Sequence, residues 1–434
     1  MPGTAPPSGM RDFLPEDVRR REYVIGIIKR VYERYGFEPL ETPAAENLET
    51  LLGKYGEEGN KLIFKILKRG EHEATGQADL ALRYDLTVPL ARVIAQYQAK
   101  LPRPFKRYQI QPVWRADRPG RGRFREFYQC DIDSLGSTSP MVEAESIAAV
   151  AESMTALGFA DFVIRLNHRQ LLTSILNGVG IPDALHGSAL IAVDKLDKIG
   201  VDGVKTELEA RGIAAGAAQK LLASMQETSL SAVAPANEAA AENVRHIEAL
   251  SAHTPAAGKV RFDVSLARGL DYYTGAIMEV NVADLAGSLG GGGRYDNLVG
   301  MFLGQQIPAC GFSLGLERIL VVMTERGMFP ASVATAPADV LVATFDAAGA
   351  GSAMRLADQL RGAGLRVMVY PDPDKIGKQI KYADGRGIPF VAILGEDEIK
   401  AGRVTVKNLA AQTQQTHDQA EAGTAILGAL KQRG

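Results

Sequence analysis

The sequence predicts an α+β core with an antiparallel sheet and flanking helices, a helical insertion, and a C-terminal α/β domain. Three observations predict it. Phe105 to Gly136 holds two alternating runs around a basic loop rich in Gly and Pro, the pattern of an antiparallel hairpin. Arg169 to Ala257 is rich in Ala, Leu and Lys, poor in aromatics and helical in period. Beyond residue 338, strand-like and helix-like runs alternate, which predicts a mostly parallel sheet. The expected boundaries are 1–168 with 258–327 for the core, 169–257 for the insertion, 328–338 for a linker and 339–434 for the last domain.

Pro15 to Tyr35 reads as a helix. Pro15 suits the first helical position, and Val18, Val24, Ile27, Ile28, Val31 and Tyr35 form an apolar stripe that Gly36 ends. Phe37 to Pro43 is short and extended, Leu80 to Leu82 is a strand, and Thr87 to Tyr97 is a helix with an early Pro89. Successive strand side chains point to opposite faces. On the outgoing hairpin run Arg107, Gln109, Gln111 and Arg115 therefore share a face, opposite Tyr108, Ile110 and Trp114. On the return run Phe127, Gln129, Asp131 and Asp133 share one, opposite Tyr128, Cys130 and Ile132. Buried polar groups are costly unless paired, so a polar face in mid-sheet suggests the floor of a charged-ligand site.

After the insertion, Val260 to Leu266 alternates as a strand. Gly290 to Gly293 is expected to form a turn. Ile307 to Leu314 is a strand running into a helix from Leu316 to Arg326. In the last domain the spacing predicts strands at Val340 to Thr344, Leu365 to Tyr370, Phe390 to Leu394 and Val404 to Leu409. Helices are expected at Ala353 to Leu360, Lys375 to Gly385 and Thr424 to Gln432. There is no tandem repeat.

Composition narrows the class. With 434 residues the chain is long enough for two or three cores. No apolar run approaches the roughly 18 residues that cross a bilayer, and the start resembles no signal peptide, so a cytoplasmic protein with no membrane partner is expected. Cys130 and Cys310 sit in apolar strand-like runs, as small buried hydrophobes do. The six histidines show no ligand spacing. Net charge is -2, yet residues 100–125 hold nine Lys or Arg against the single acid Asp117. Such a cluster suits phosphates.

No GxxxxGK[ST] and no GxGxxG opening a helix is present, so nucleotide phosphates would not be held by a Gly-rich loop. Arginines at three separated places, Arg115, Arg268 and Arg318, end or begin regular elements instead. A guanidinium fork matches carboxylate and phosphate oxygens, and several together suit a bent triphosphate gripped by side chains.

These residues resemble a family. Arg115 to Phe127 resembles motif 2 of the class II aminoacyl-tRNA synthetases, and Gly311-Phe-Ser-Leu-Gly-Leu-Glu-Arg318 resembles motif 3. Gly36 to Pro43 resembles motif 1, which builds the dimer interface. Leu266-Ala-Arg-Gly-Leu-Asp-Tyr-Tyr-Thr-Gly275 and Gly291-Gly-Gly-Arg-Tyr-Asp-Asn-Leu298 look like the signatures of histidyl-tRNA synthetases. The resemblance covers nearly the whole chain.

It implies a homodimer that activates L-histidine with ATP, accompanied by Mg²⁺, and transfers it to the 3′ end of its tRNA. Arg115 and Arg268 would be the catalytic residues. Arg115 would bind the ATP α-phosphate and Arg318 the γ-phosphate end, with Arg123 and Phe127 also at the nucleotide. Arg268 would lie on the α-phosphate and the histidine carboxylate, stabilising developing charge. Asp85, Leu86 and Thr87 would hold the α-ammonium and Gln129 the amino-acid backbone. Asp133 and Tyr273 would read the two imidazole nitrogens, with Tyr272 alongside. A site that pairs both nitrogens rejects apolar isosteres without editing. No metal ligands from the protein are implied.

The sequence departs from many bacterial members by carrying Asp at 85 and 133. With Val-Asp-Lys-Leu-Asp-Lys198 and Tyr-Tyr-Thr-Gly275 it looks more like the eukaryotic and archaeal branch. The hairpin loop Asp117 to Gly122 is expected to touch the tRNA acceptor end through Arg118 and Arg121. The last domain resembles an anticodon-binding domain, with Lys375, Lys378 and Lys381 on one helix side. The rival reading is a non-catalytic histidine-sensing regulatory subunit of ATP phosphoribosyltransferase. That family usually lacks the anticodon-binding domain and degrades the arginine set, whereas both are present here.

Overall fold

In the computed structural model, which describes residues 3–70, 75–267, 272–330, 333 and 336–431, the hairpin forms as the alternation requires. It is made of β5 (Phe105–Trp114) and β6 (Glu126–Leu135); before it come β1 (Glu38–Pro39), β2 (Ala45–Asn47), β3 (Lys65–Leu67) and β4 (Ala78–Leu82), and after it β7 (Val163–His168), β8 (Val260–Phe262), β9 (Ala276–Asn281), β10 (Gly290–Arg294) and β11 (Ala309–Gly315). Eight of these make one sheet in the order β1-β5-β6-β11-β10-β9-β7-β8, and β2-β4-β3 make a small second one. The large sheet is antiparallel except at its rims, where β1 runs parallel to β5 and β8 parallel to β7.

Register aligns the polar faces. Arg107 pairs with Asp133, Gln109 with Asp131 and Gln111 with Gln129. The middle row continues across the sheet through Ser313, Gly291, Glu279, Arg165 and Arg261. Directly opposed residues share a face, so one side of the sheet is a polar floor. The other side is covered by helices. In Pro15–Arg34 Val24, Ile27, Ile28 and Val31 of the expected stripe are buried, but Val18 is 38% exposed and Tyr32 is buried in place of Tyr35. The Tyr32 ring lies 6.3 Å from that of Tyr108. Helix Met141–Ala156 packs between β11 and helix Glu238–Ser251.

Several expectations change, among them the mostly parallel sheet of the last domain, which has two parallel and two antiparallel pairings because its last two strands return as a hairpin. Gly290 to Gly293 is the strand β10, not a turn. Its neighbours approach so closely that a Cβ at Gly292 would stand 2.0 Å from the Gly311 carbonyl oxygen, a spacing only glycine permits. The run predicted to extend to Leu266 leaves the sheet at Phe262. There Asp263 accepts hydrogen bonds from the Ser265 N–H and hydroxyl, and an Asx turn replaces the ladder.

The insertion is helical throughout its length, with helices Arg169–Gly178, Asp183–Val193, Leu196–Ala210, Ala215–Ser224 and Glu238–Ser251. Its core is not separate. Leu171, Leu190, Val193 and Leu208 belong to the same buried cluster as Leu90, Tyr273 and Tyr295.

Contact density divides the chain into two units, Met1–Leu14 with Arg20–Met328, and Pro15–Arg19 with Phe329–Gly434. The second holds β12 (Val340–Thr344), β13 (Val367–Val369), β14 (Phe390–Leu394), β15 (Arg403–Asn408) and β16 (Thr413–Asp418) in the order β13-β12-β14-β15-β16. The first three are mutually parallel and β15 and β16 antiparallel. Val340, Val342, Leu356, Phe390 and Val406 fill one side of that sheet, and Leu341, Ala343, Val391 and Ile393 the other.

Candidate active site

The polar floor opens into a cavity of about 610 Å³. Asp85, Thr87, Arg115, Arg123, Phe127, Gln129, Asp133, Tyr272, Tyr273 and Arg318 all line it. Arg268 lies outside the described residues. Leu86 is fully buried beneath the wall, where its carbonyl accepts a 3.3 Å hydrogen bond from Arg107. Arg118 is exposed and does not line the cavity, although its neighbour Asp117 does. Arg121 is also outside it, bound to the Glu325 carboxylate and donating to the Asp284 carbonyl at 3.0 Å.

Arg115 leaves the end of β5 and donates through Nε to the Tyr84 carbonyl at 3.0 Å. Its guanidinium stacks 4.3 Å from the Tyr84 ring centre and 5.2 Å from that of Phe127. Aromatic faces hold a cation in place without neutralising its charge. Arg318 starts helix Leu316–Glu325, and its Nη1 donates to the Ser288 carbonyl. The preceding residue explains the aim. Buried Glu317 takes Arg21 Nη1 at 2.8 Å and the Tyr128 N–H at 2.9 Å, which pins the helix start to β6.

Asp85 closes another corner. Its carboxylate accepts from the Tyr55 hydroxyl and the Val88 N–H, each at 3.0 Å, and from the Tyr272 hydroxyl at 3.5 Å. Burial pushes its pKa up, while the Val88 N–H and the Arg115 charge pull the other way. Tyr272 also hydrogen-bonds Thr87, and its ring stands 5.0 Å from Tyr273 and 5.9 Å from Tyr295.

The floor beneath is charged and buried. Arg107, wholly buried, brings Nη2 to 2.8 Å from Asp133 and 3.8 Å from Asp131. Burial raises both carboxyl pKa values, and the Arg107 charge opposes the rise. Asp133 also accepts from the buried Tyr295 hydroxyl. Gln129 donates to Ser313 Oγ at 2.9 Å, while its Oε1 finds no protein donor, nor does Asp131 Oδ1. A buried acceptor without a donor favours a ligand that brings one.

Arg107, Asp131, Ser313, Tyr295 and Glu317 are site residues that the sequence reasoning left out. The first two stand on the polar strand faces, a signal the alternation already carries. Tyr295 and Glu317 sit inside quoted motifs, but nothing local marks them. The motifs also interlock: the Thr274 N–H donates to the Arg294 carbonyl at 2.8 Å, and the Asp296 N–H to Thr274 Oγ1 at 3.0 Å. Arg294 itself is structural, paired with buried Glu143 at 2.6 Å.

Electrostatically, this arrangement can hold an anion between two guanidinium groups, one of them backed by aromatic rings, and a cationic or hydrogen-donating group among buried carboxylates. Among the described residues no cluster of His, Cys, Asp or Glu forms a metal site, and no helix is long and apolar enough to cross a membrane.

Comparison with known proteins places the chain. The family described as histidyl-tRNA synthetase matches residues 9–319, and the anticodon binding domain matches residues 339–428. The histidine–tRNA ligase of Gloeobacter violaceus is 43% identical, with 98% of each chain covered. That of Christiangramia forsetii is 41% identical at the same coverage. The crystal structure of histidyl-tRNA synthetase from Nostoc sp. PCC 7120 superposes with a TM-score of 0.81 at 32% identity, covering 99% of this chain and 100% of that one.

Proposed function

The chain belongs to the histidyl-tRNA synthetase family and catalyses ATP-dependent activation of L-histidine and its transfer to tRNA; on that premise we propose how its residues divide the work. Arg115 binds the ATP α-phosphate and Arg318 the γ-phosphate end, bending the triphosphate between them. Arg123 and Phe127 bound the nucleotide. Asp85 and Thr87 take the α-ammonium, below which Leu86 supports Arg107, and Gln129 takes the amino-acid backbone. Asp133 and Tyr273 read the two imidazole nitrogens, with Tyr272 alongside. Arg268 bridges the histidine carboxylate and the α-phosphate.

Charge, not covalent chemistry, then carries the rate. The histidine carboxylate attacks the α-phosphorus and pyrophosphate leaves. The terminal ribose hydroxyl of the tRNA next attacks the adenylate carbonyl, releasing AMP. No side chain is needed as nucleophile, so positioning and stabilisation of transferred charge supply the acceleration. Mg²⁺ enters as part of the ATP substrate and neutralises phosphate charge. Residues 339–434 bind the anticodon region, Arg118 and Arg121 meet the acceptor end, and the enzyme works as a cytoplasmic homodimer through the segment 36–43.

The observation that supports this assignment most is the meeting of Arg115, Arg318, Gln129 and Asp133 around one cavity, although Arg115 and Arg318 are far apart in the sequence. Histidine-dependent exchange of pyrophosphate into ATP tests it. The wild type should exchange, and Arg115→Ala should lose on the order of 10² to 10³ in rate. A soluble wild-type protein with no exchange, or an unimpaired Arg115→Ala, contradicts the proposal.

A further inference from the structure

Residues 8–13 have no part in the roles above, yet a row of alternating rings and guanidinium groups ties them to the site. Arg11 stands 3.4 Å from the centre of the Phe124 ring and 4.9 Å from that of Phe13. Arg21 stands 4.1 Å from the Phe13 ring and 4.7 Å from that of Tyr128, and it pairs with Glu317 at 2.8 Å. Phe13 therefore joins two guanidinium groups, and the order along the row is Phe124, Arg11, Phe13, Arg21, Glu317. A guanidinium is attracted to the negative face of a ring, so every link in the row is favourable.

The two ends of the row belong to different elements of the site. Phe124 lies on the hairpin between Arg123 and Phe127, and Glu317 directly precedes Arg318. All five of these residues line the cavity, whereas Phe13 does not. The segment that carries Phe13 is seated on the hairpin by its backbone. The Gly9 carbonyl accepts the Arg125 N–H at 2.8 Å, and the Arg125 carbonyl accepts the Arg115 N–H at 2.9 Å. Gly9 has a φ of 81°, and a Cβ there would stand 2.8 Å from Arg125 Cγ, so this seat requires glycine.

A triphosphate gripped between Arg115 and Arg318 depends on how the hairpin stands relative to the start of helix Leu316–Glu325. The row connects those two elements. The groups assigned to histidine are held by other means, Asp133 by Arg107 and Tyr295, and Asp85 by Tyr55 and the Val88 N–H. A break in the row should therefore be felt by ATP and not by histidine.

We propose that Phe13 is a positioning residue for ATP, which through Arg11 and Arg21 fixes Phe124 of the hairpin relative to the Glu317–Arg318 helix start. The proposal rests on the functional reading above and adds to it a residue outside the cavity.

The test uses the full chain with Phe13→Leu, Phe13→Tyr, Arg11→Gln and the double variant Arg11→Gln/Phe13→Leu. Pyrophosphate exchange gives kcat and the KM for each substrate. In Phe13→Leu the KM for ATP should rise about fivefold, the size expected for lost cation–π contacts at a partly exposed site, with the KM for histidine unchanged. Phe13→Tyr keeps the ring face and should behave as wild type. Arg11→Gln breaks the same row one link away and should raise the KM for ATP by about as much. The double variant should be no worse than either single one, because both act through one chain of contacts. An unchanged KM for ATP overturns the proposal. So do equal rises in both KM values, a tyrosine variant as weak as leucine, or single effects that multiply in the double variant. Should Phe13→Leu fail to fold, the exposed Arg11→Gln decides alone: a selective rise in the KM for ATP upholds the proposal and its absence overturns it. Failure of the functional reading itself would appear separately, as absence of exchange in the wild type.

Discussion

Gly311 stands directly opposite Asp133 in the β6–β11 pairing, and a Cβ at 311 would lie 1.9 Å from Asp133 Oδ1. The carboxylate of one strand occupies the space that a side chain on its neighbour would fill. A glycine in a strand usually costs stability, so its presence here marks a close approach that something else needs. What needs it is the aim of Asp133, held from below by Arg107 and from the side by Tyr295.

Gly311→Ala should therefore displace Asp133 and break its contact with Tyr295. The expected result is a rise of at least about tenfold in the KM for histidine and a loss of about 1–3 kcal/mol of stability from overpacking. Exchange kinetics and denaturant melts measure the two. An alanine variant with wild-type histidine KM would mean that Asp133 does not need its present position.

Tyr295→Phe removes the hydroxyl that helps keep Asp133 ionised. With burial already raising that pKa, losing the donor raises it further. Acceptance of an imidazole N–H needs the carboxylate, which is lost as pH falls through its pKa. The variant's histidine KM should exceed wild type by about tenfold at low pH. The ratio should shrink as pH rises above about 7, where the carboxylate ionises in both. Substrate titration is common to both proteins and cancels in the ratio. A ratio independent of pH would show that Tyr295 acts through shape alone.

Arg268→Ala should abolish exchange while histidine binding, followed by calorimetry, remains measurable. The charge it is proposed to stabilise at the α-phosphate grows as the carboxylate attacks, so most of its loss should fall on kcat. Equal loss of binding and turnover would place it in ground-state recognition instead.

His168 supplies a pH test of stability. It caps helix Arg169–Gly178 by accepting from the Gln170 N–H at 3.2 Å, and burial lowers its pKa from 6.5 to about 4, with the Arg294 charge adding to the effect. Between those values the unfolded chain binds the proton and the folded one does not. Stability therefore rises with pH across this window, is complete above about 6.5 and is lost toward 4. His168→Asn keeps a capping acceptor and has no proton to bind. Denaturant melts of the variant should show a weaker pH slope than wild type between about pH 4 and 6.5. An unchanged slope would assign the effect to other groups.

Much of the site is legible in the order of residues. Helix Thr87–Tyr97 and strands Val340–Thr344 and Phe390–Leu394 fall at the bounds that periodicity predicts. Strand β9 is not legible in this way, because its run is buried on both sides at Ala276 to Met278 and so lacks the alternation that marks a strand. Nor is β16, whose residues Thr413 to Asp418 are polar on both faces and find their place only by pairing with β15.

Alternation along Phe105 to Gly136 by itself determined that Arg107, Gln109, Gln129, Asp131 and Asp133 would stand on polar strand faces, because side-chain period is a local property of extended backbone. Which groups meet there was decided only by tertiary structure. Tyr295 reaches Asp133 across 162 residues, Glu317 reaches Arg21 across 296, and Asp197 reaches Arg165 from an insertion. Strand order and register bring these pairs together, and both depend on contacts between distant segments that no local pattern encodes.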